Sequence, residues 1–186
     1  MRPGGGPAKG ASFERKVCVQ LSLWITGGKL RDCFWRSSLS GGRATVAFQR
    51  GVRLDRQAGD ICAIAPEGHV LTDQFYFELK HYRSIKLESF ILFNRGLLAQ
   101  WWQQAIKQAN RHDRQPVIIA KSNRVPAIVI TKVGNILLNP HPVAILPSCS
   151  LGLFDRTLKI PWMRYDATQR PIPTGPLEAL TAREAD

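Results

Sequence analysis

Hydrophobic residues recur at helical spacing near the start of the chain. Val17, Leu21 and Trp24 would share one face of a helix, so the pattern predicts a first helix over residues 12–26, ended by a glycine pair. Residues 1–8, which are rich in glycine and proline, are predicted to form a flexible leader before this helix.

Three strands are predicted next. Residues 32–37 and 60–65 are short apolar runs, and residues 74–80 alternate between apolar and polar side chains. A turn is predicted at residues 66–68. Residues 38–58 contain paired glycines and several arginines, so they predict a loop or an irregular hairpin.

A second long helix is predicted over residues 97–111, followed by β-rich runs at 117–120 and 127–131. This order predicts an α/β fold in which a mixed central sheet is flanked by helices. The apolar run over residues 127–130 could form the edge of a homodimer, although a core strand fits its pattern at least as well. We expect one domain over residues 9–165 and a weakly ordered tail over residues 166–186.

The net charge of the chain indicates what kind of partner the protein binds. Lys and Arg number 26 against 14 Asp and Glu, which gives a formal net charge of +12. Such an excess favours a polyanionic partner, because neutralising phosphates releases condensed counterions. Basic structural proteins share this bias. Here the basic residues are spread through the segments predicted to fold, so we expect a basic surface on the domain.

The four cysteines, Cys18, Cys33, Cys62 and Cys149, are widely separated and lack a paired spacing. The sequence therefore shows no zinc site, and buried thiols of this kind are typical of a reducing compartment. No apolar run is long enough to cross a membrane, and the N-terminus lacks the apolar stretch of a secretory signal. We expect a cytoplasmic protein with no membrane partner.

Candidate chemistry lies on the third predicted strand and at the start of the second. Glu78 and Lys80 leave the same face of the third strand, while Leu79 points into the core. Mg2+ takes oxygen ligands and keeps several waters, so Asp60 and Glu78 could anchor it, with the backbone carbonyl of Leu79 completing the shell. The Lys80 ammonium could then stabilise charge on a phosphate or orient an attacking water.

This ordered set resembles the PD-(D/E)XK nuclease superfamily, especially its small Holliday-junction-resolvase and phage endonuclease branch. The resemblance covers residues 9–121, and its elements are Lys9-Gly10 and Glu14-Arg15 in the first helix, Gly59-Asp60-Ile61 before the second strand, and Glu78-Leu79-Lys80 in the third. The chain departs from the family in carrying Gly59 in place of proline and a longer insertion over residues 38–58.

The resemblance implies a Mg2+-dependent DNA endonuclease, with Mn2+ as a substitute, acting on branched DNA in recombination or phage DNA processing. The expected setting is a bacterial or phage-infected cell, and the expected assembly is a symmetric dimer. Asp60 and Glu78 would bind the metal together with Leu79. The residues given catalytic roles are Glu14, Asp60, Glu78, Lys80 and Gln104.

Basic and hydroxyl residues around the first strand are candidate contacts to the DNA backbone. By resemblance, these include Ser37 and Ser38, which follow Arg36. The arginines of the loop could follow a phosphate backbone or form a solubilising surface, and they are Arg43, Arg50, Arg53 and Arg56.

Each motif also has a plainer interpretation. Glu78 and Lys80 could be a solvated pair, Asp60 a turn residue, and Glu14 a first-turn carboxylate favoured by the helix dipole. Trp101 could stack on bases or belong to the core. For the whole protein, the alternatives are a restriction- or repair-type nuclease on linear duplex DNA, a DNA-binding protein without activity, and a basic structural protein.

Overall fold

A computed structural model describes residues 5–37 and 58–162, with side chains from residue 9 onward. Its elements in chain order are α1 (Gly5–Ile25), β1 (Phe34–Arg36), β2 (Ile61–Ala63), α2 (Pro66–Thr72), β3 (Phe75–Tyr82), α3 (Leu87–Phe93), α4 (Leu97–Arg111), β4 (Gln115–Ser122), β5 (Ile128–Thr131), β6 (Ala144–Leu146), β7 (Cys149–Leu153) and α5 (Phe154–Thr157).

Five strands form the central sheet in the order β3-β4-β5-β7-β6. β3 and β4 are parallel, because α3 and α4 carry the chain back between them, and the other neighbouring strands are antiparallel. β1 and β2 form a separate antiparallel pair. The predicted α/β fold, a mixed sheet flanked by helices, is confirmed.

Each face of the sheet carries its own hydrophobic core. On one face, Leu21 of α1 packs with Leu79 of β3, and on the other, Trp102 of α4 packs with Ile118 of β4. β4 is buried along residues 116–120, as expected for a strand covered on both faces. Glu78 and Lys80 alternate with Leu79, so they leave the face of β3 opposite to α1.

Several predicted boundaries were wrong. α1 begins at Gly5 and not near Ser12, because Pro7 falls in the first turn, where no backbone N–H is needed. Residues 66–68 open helix α2 instead of forming only a turn, since proline fits the first helical position. The run proposed as a dimer edge is β5, which is paired on both sides by β4 and β7 and is therefore a core strand.

The burial of the cysteines and the length of the helices can be compared with the sequence predictions. Cys18, Cys33 and Cys149 are buried and Cys62 is half-buried, and all four are free thiols. Burial, followed by the effect of Cys62, raises the pKa of Cys18 to about 12. Among the described helices, none is long and apolar enough to cross a membrane.

Candidate active site

Asp60 lies just before β2 and against the outer edge of β3. Its backbone N–H donates to the carbonyl of Phe77 at 2.8 Å, and its carboxylate accepts a hydrogen bond from the N–H of Leu79 at 2.7 Å. Gly59 allows this approach: its φ is +86°, and a Cβ there would lie 2.7 Å from the Phe77 carbonyl oxygen. Proline holds φ near −65°, so this backbone excludes the proline that the family carries here.

Glu78 and Lys80 stand beside Asp60 on β3. Glu78 is only 8% exposed, and the Lys80 ammonium donates to its carboxylate. Burial, followed by the charge of Glu78, raises the pKa of Asp60 to about 7. Burial acts to lower the pKa of Lys80, but the Glu78 and Asp60 carboxylates outweigh it and the pKa is raised. A solvated surface pair does not describe these residues.

Glu14 approaches the same group from α1. Its side chain is 15% exposed, and its carboxylate accepts a hydrogen bond from Nε of Arg36 on β1. Its charge is the smallest of the influences that shift the pKa of Asp60. Because α1 begins at Gly5, Glu14 lies in the helix interior, and the interpretation as a first-turn carboxylate does not hold.

Tyr76 belongs to this group, although the sequence pattern assigns it no role. Burial and then the charges of Glu78 and Asp60 raise the pKa of this phenol. The ring stacks on His112 with centroids 6.1 Å apart. The signal was available, because Tyr76 alternates onto the same strand face as Glu78.

Other predicted site residues lie elsewhere. Gln104 is exposed on α4, whose buried face carries Trp101 and Ala105, so the predicted catalytic role for Gln104 finds no support in its position. Ser37 is buried, and its N–H donates to the Asp60 carbonyl at 3.0 Å, so it anchors the backbone and is not open to DNA. Trp101 is a core residue. Ser38, Arg43, Arg50, Arg53 and Arg56 lie outside the described residues.

The donor set fits a hard divalent cation. Asp60 and Glu78 are adjacent buried carboxylates, and the pKa of Asp60 is raised first by burial and then by the charge of Glu78, which a bound cation would offset. Within residues 5–37 and 58–162, no three His, Cys, Asp or Glu side chains are grouped to hold a metal. Two carboxylates are enough for Mg2+, because it keeps several waters.

Known proteins place the chain in a family. The family described as "Phage putative PDDEXK endonuclease" matches residues 6–146. The chain is similar to Protein D14 of Escherichia phage T5, with 27% identity over 120 residues that cover 60% of this chain and 70% of D14. No solved structure matches it. PD-(D/E)XK nucleases generally use divalent metals, and an endonuclease of this kind implies DNA as its substrate class. The chain belongs to this phage PDDEXK endonuclease family.

Proposed function

We propose that the protein is a Mg2+-dependent DNA endonuclease that cuts branched DNA, with Mn2+ able to replace Mg2+. The observation that supports it best is the buried Asp60 and Glu78 pair beside Lys80. Burying two carboxylates next to each other costs free energy unless a cation joins them. A protein that only binds DNA gains nothing from such a pair, because it repels phosphate.

Asp60 and Glu78 would hold the metal, with the backbone carbonyl of Leu79 as a further donor. When bound, Mg2+ polarises the scissile phosphate and makes a bound water a better nucleophile. The Leu79 N–H fixes the Asp60 carboxylate. Tyr76 leaves the same strand face as Glu78 and would help to orient its carboxylate. Lys80, which is close enough to donate to Glu78, would stabilise the charge that develops on the phosphate.

Glu14 and Arg36 would support this centre from the opposite side. Glu14 would orient a water rather than ligate the metal directly, because its carboxylate is already held by Arg36. Arg36 is about one-third exposed, so part of its guanidinium remains open to a phosphate of the DNA. The net charge of +12 would hold the rest of the duplex.

Branched DNA follows from the resemblance of the first helix and the E-x-K strand to the resolvase branch. Cutting two strands at matched positions requires two active sites, so we expect the protein to act as a symmetric dimer on DNA. The expected role is recombination or DNA processing in the cytoplasm of a phage-infected bacterium.

The test compares three labelled DNAs, a four-way junction, a linear duplex and a single strand, each with Mg2+, Mn2+ or EDTA. We expect paired nicks near the branch point that require the metal and disappear in Asp60→Ala. Asp73→Asn is the matched control, because it removes an exposed carboxylate whose charged partner is His69 and not a residue of this site. Equal cutting of all three DNAs would support the nuclease activity and refute the preference for branched DNA. DNA binding without cutting under either metal would refute the proposal that the protein is an enzyme.

A further inference from the structure

A mixed apolar and cationic surface runs along α3, from the residues just before its start to the turn into α4. Two of its cations, Arg83 and Lys86, lie before α3, and its other members lie at the α4 end. Its apolar members, Leu92, Phe93 and Leu97, are exposed by 69%, 65% and 40%. Its cations, Arg83, Lys86 and Arg95, are exposed, and within the described residues none of them forms an ion pair. We name these six residues the hairpin surface.

Tyr82 links the strand that carries Lys80 to the helix that begins at Leu97. Lys80 and Tyr82 leave the same face of β3, about 7 Å apart along the strand. The exposed Tyr82 ring packs on Trp101 of α4 with centroids 4.9 Å apart, and Trp101 lies one helical turn beyond Leu97. A DNA strand that ran from a phosphate at Lys80 towards α4 would therefore pass Tyr82.

We propose that the hairpin surface binds DNA at a point where base faces are exposed, such as a branch, with Leu92 and Phe93 packed on the bases. Arg83, Lys86 and Arg95 contact the flanking phosphates. This inference rests on the proposed function and deepens it. An intact duplex buries its base faces and presents only phosphates, which cations can bind without apolar neighbours. Apolar side chains gain free energy only where a base step is opened and a base face is exposed.

A second copy of the chain fits this surface less well than DNA does. A symmetric dimer formed here would bring the same patch against itself. Three cations would then face three cations, with Glu88 as the only acidic side chain of α3 to offset them. A polyanion neutralises the same cations and releases counterions.

The experiment measures DNA binding without cleavage, in EDTA, by fluorescence anisotropy. The double variant Leu92→Ser with Phe93→Ser is compared with the wild type and with Ile145→Ser. Ile145 is the matched control, because it is 67% exposed on β6, at the opposite edge of the sheet from β3. The probes are a four-way junction and a linear duplex with the same arm sequences. A second junction carries 2-aminopurine at the branch point.

The double variant should bind the junction about tenfold or more weakly, since each lost base contact of this kind is worth roughly fivefold to a hundredfold. Its affinity for the linear duplex should change little, and Ile145→Ser should match the wild type on both DNAs. The 2-aminopurine signal should rise when the wild type binds and stay low with the double variant. Unchanged melting temperatures would show that all three proteins are folded.

An unchanged junction affinity in the double variant would overturn the inference, as would an equal loss on junction and duplex. A shift from dimer to monomer in light scattering, with DNA affinity retained, would assign the surface to a second copy instead. If the wild type selects the junction through Leu92 and Phe93 yet fails to cut it with Mg2+ or Mn2+, the hairpin surface stands and the proposed nuclease function falls.

Discussion

Replacing Asp60 with asparagine should stabilise the metal-free protein at neutral pH. In the folded chain, burial and then the charge of Glu78 raise the pKa of Asp60 from 3.8 to about 7. Unfolding exposes the carboxyl group and returns its pKa to the ordinary value. The asparagine side chain carries no charge, yet its carbonyl oxygen can still accept the hydrogen bond from the Leu79 N–H.

The size of the effect follows from the shift. A rise of about three pKa units corresponds to about 4 kcal/mol, at 1.36 kcal/mol for each unit. Below pH 3.8 Asp60 is protonated in both the folded and the unfolded state, so it does not lower the free energy of unfolding. Between pH 3.8 and about 7 the unfolded state releases its proton first, and the free energy of unfolding of the wild type falls as pH rises. Above pH 7 the full cost is present.

The assay is urea denaturation in EDTA at several pH values between about 4 and 8. The stability of Asp60→Asn relative to the wild type should grow through this window and level off above pH 7. Mg2+ should then stabilise the wild type but not the variant, because binding to the folded state adds to its free energy of unfolding. Asp73→Asn, at an exposed carboxylate, should show no such trend. A difference that stays constant with pH would refute the reasoning.

Three further substitutions test the arrangement around this pair. Gly59→Ala sets a Cβ 2.7 Å from a β3 carbonyl oxygen at a φ of +86°, so urea denaturation should show that the free energy of unfolding falls by about 2 kcal/mol or more. Gly28→Ala, at a φ of +88° in open space, should lower it less, and equal losses in the two variants would contradict the close approach at Gly59. Tyr76→Phe removes a hydroxyl on the strand face of Glu78 and should lower kcat about tenfold with KM and melting temperature unchanged, whereas a purely structural role would change only stability. Arg36→Met should destabilise the protein more than the double variant with Glu14→Gln, because the single change leaves a largely buried carboxylate unpaired; additive losses in a urea double-mutant cycle would refute this.

Strong local periodicity made the early part of the fold predictable. Residues 97–111 were predicted as a helix from their apolar spacing, and α4 has the same bounds. β3 was predicted from its alternation, within two residues at its end. Residues 133–165 gave no prediction, because β6 and β7 are short strands among prolines whose pairing with β5 depends on contacts distant in sequence. The pattern of a three-residue strand is too short to be distinguished from a loop.

Periodicity also sets the limit on how much of the site can be predicted. A glutamine every four residues marks a stripe on α4, but the spacing does not say which stripe faces the sheet, and the tryptophans on the neighbouring stripe occupy the core. The sequence alone therefore does not show that Gln104 is exposed. The conformation of Gly59 was likewise hidden, since a glycine in sequence carries no sign of its φ.

The partner of a charged side chain depends on packing rather than on the motif that contains it. Arg36 is predicted as a phosphate contact because it is basic and lies beside serines, and the sequence does not show that α1 and β1 pack so that it also meets Glu14, 22 residues earlier. A phosphate arriving at Arg36 would compete with that carboxylate, whereas one arriving at Lys80 would compete with Glu78. Both cations of the site are therefore held by carboxylates before DNA arrives. A metal bound by Asp60 and Glu78 would release Lys80 from Glu78. The lysine could then direct its positive charge at the DNA phosphate only when the metal is bound.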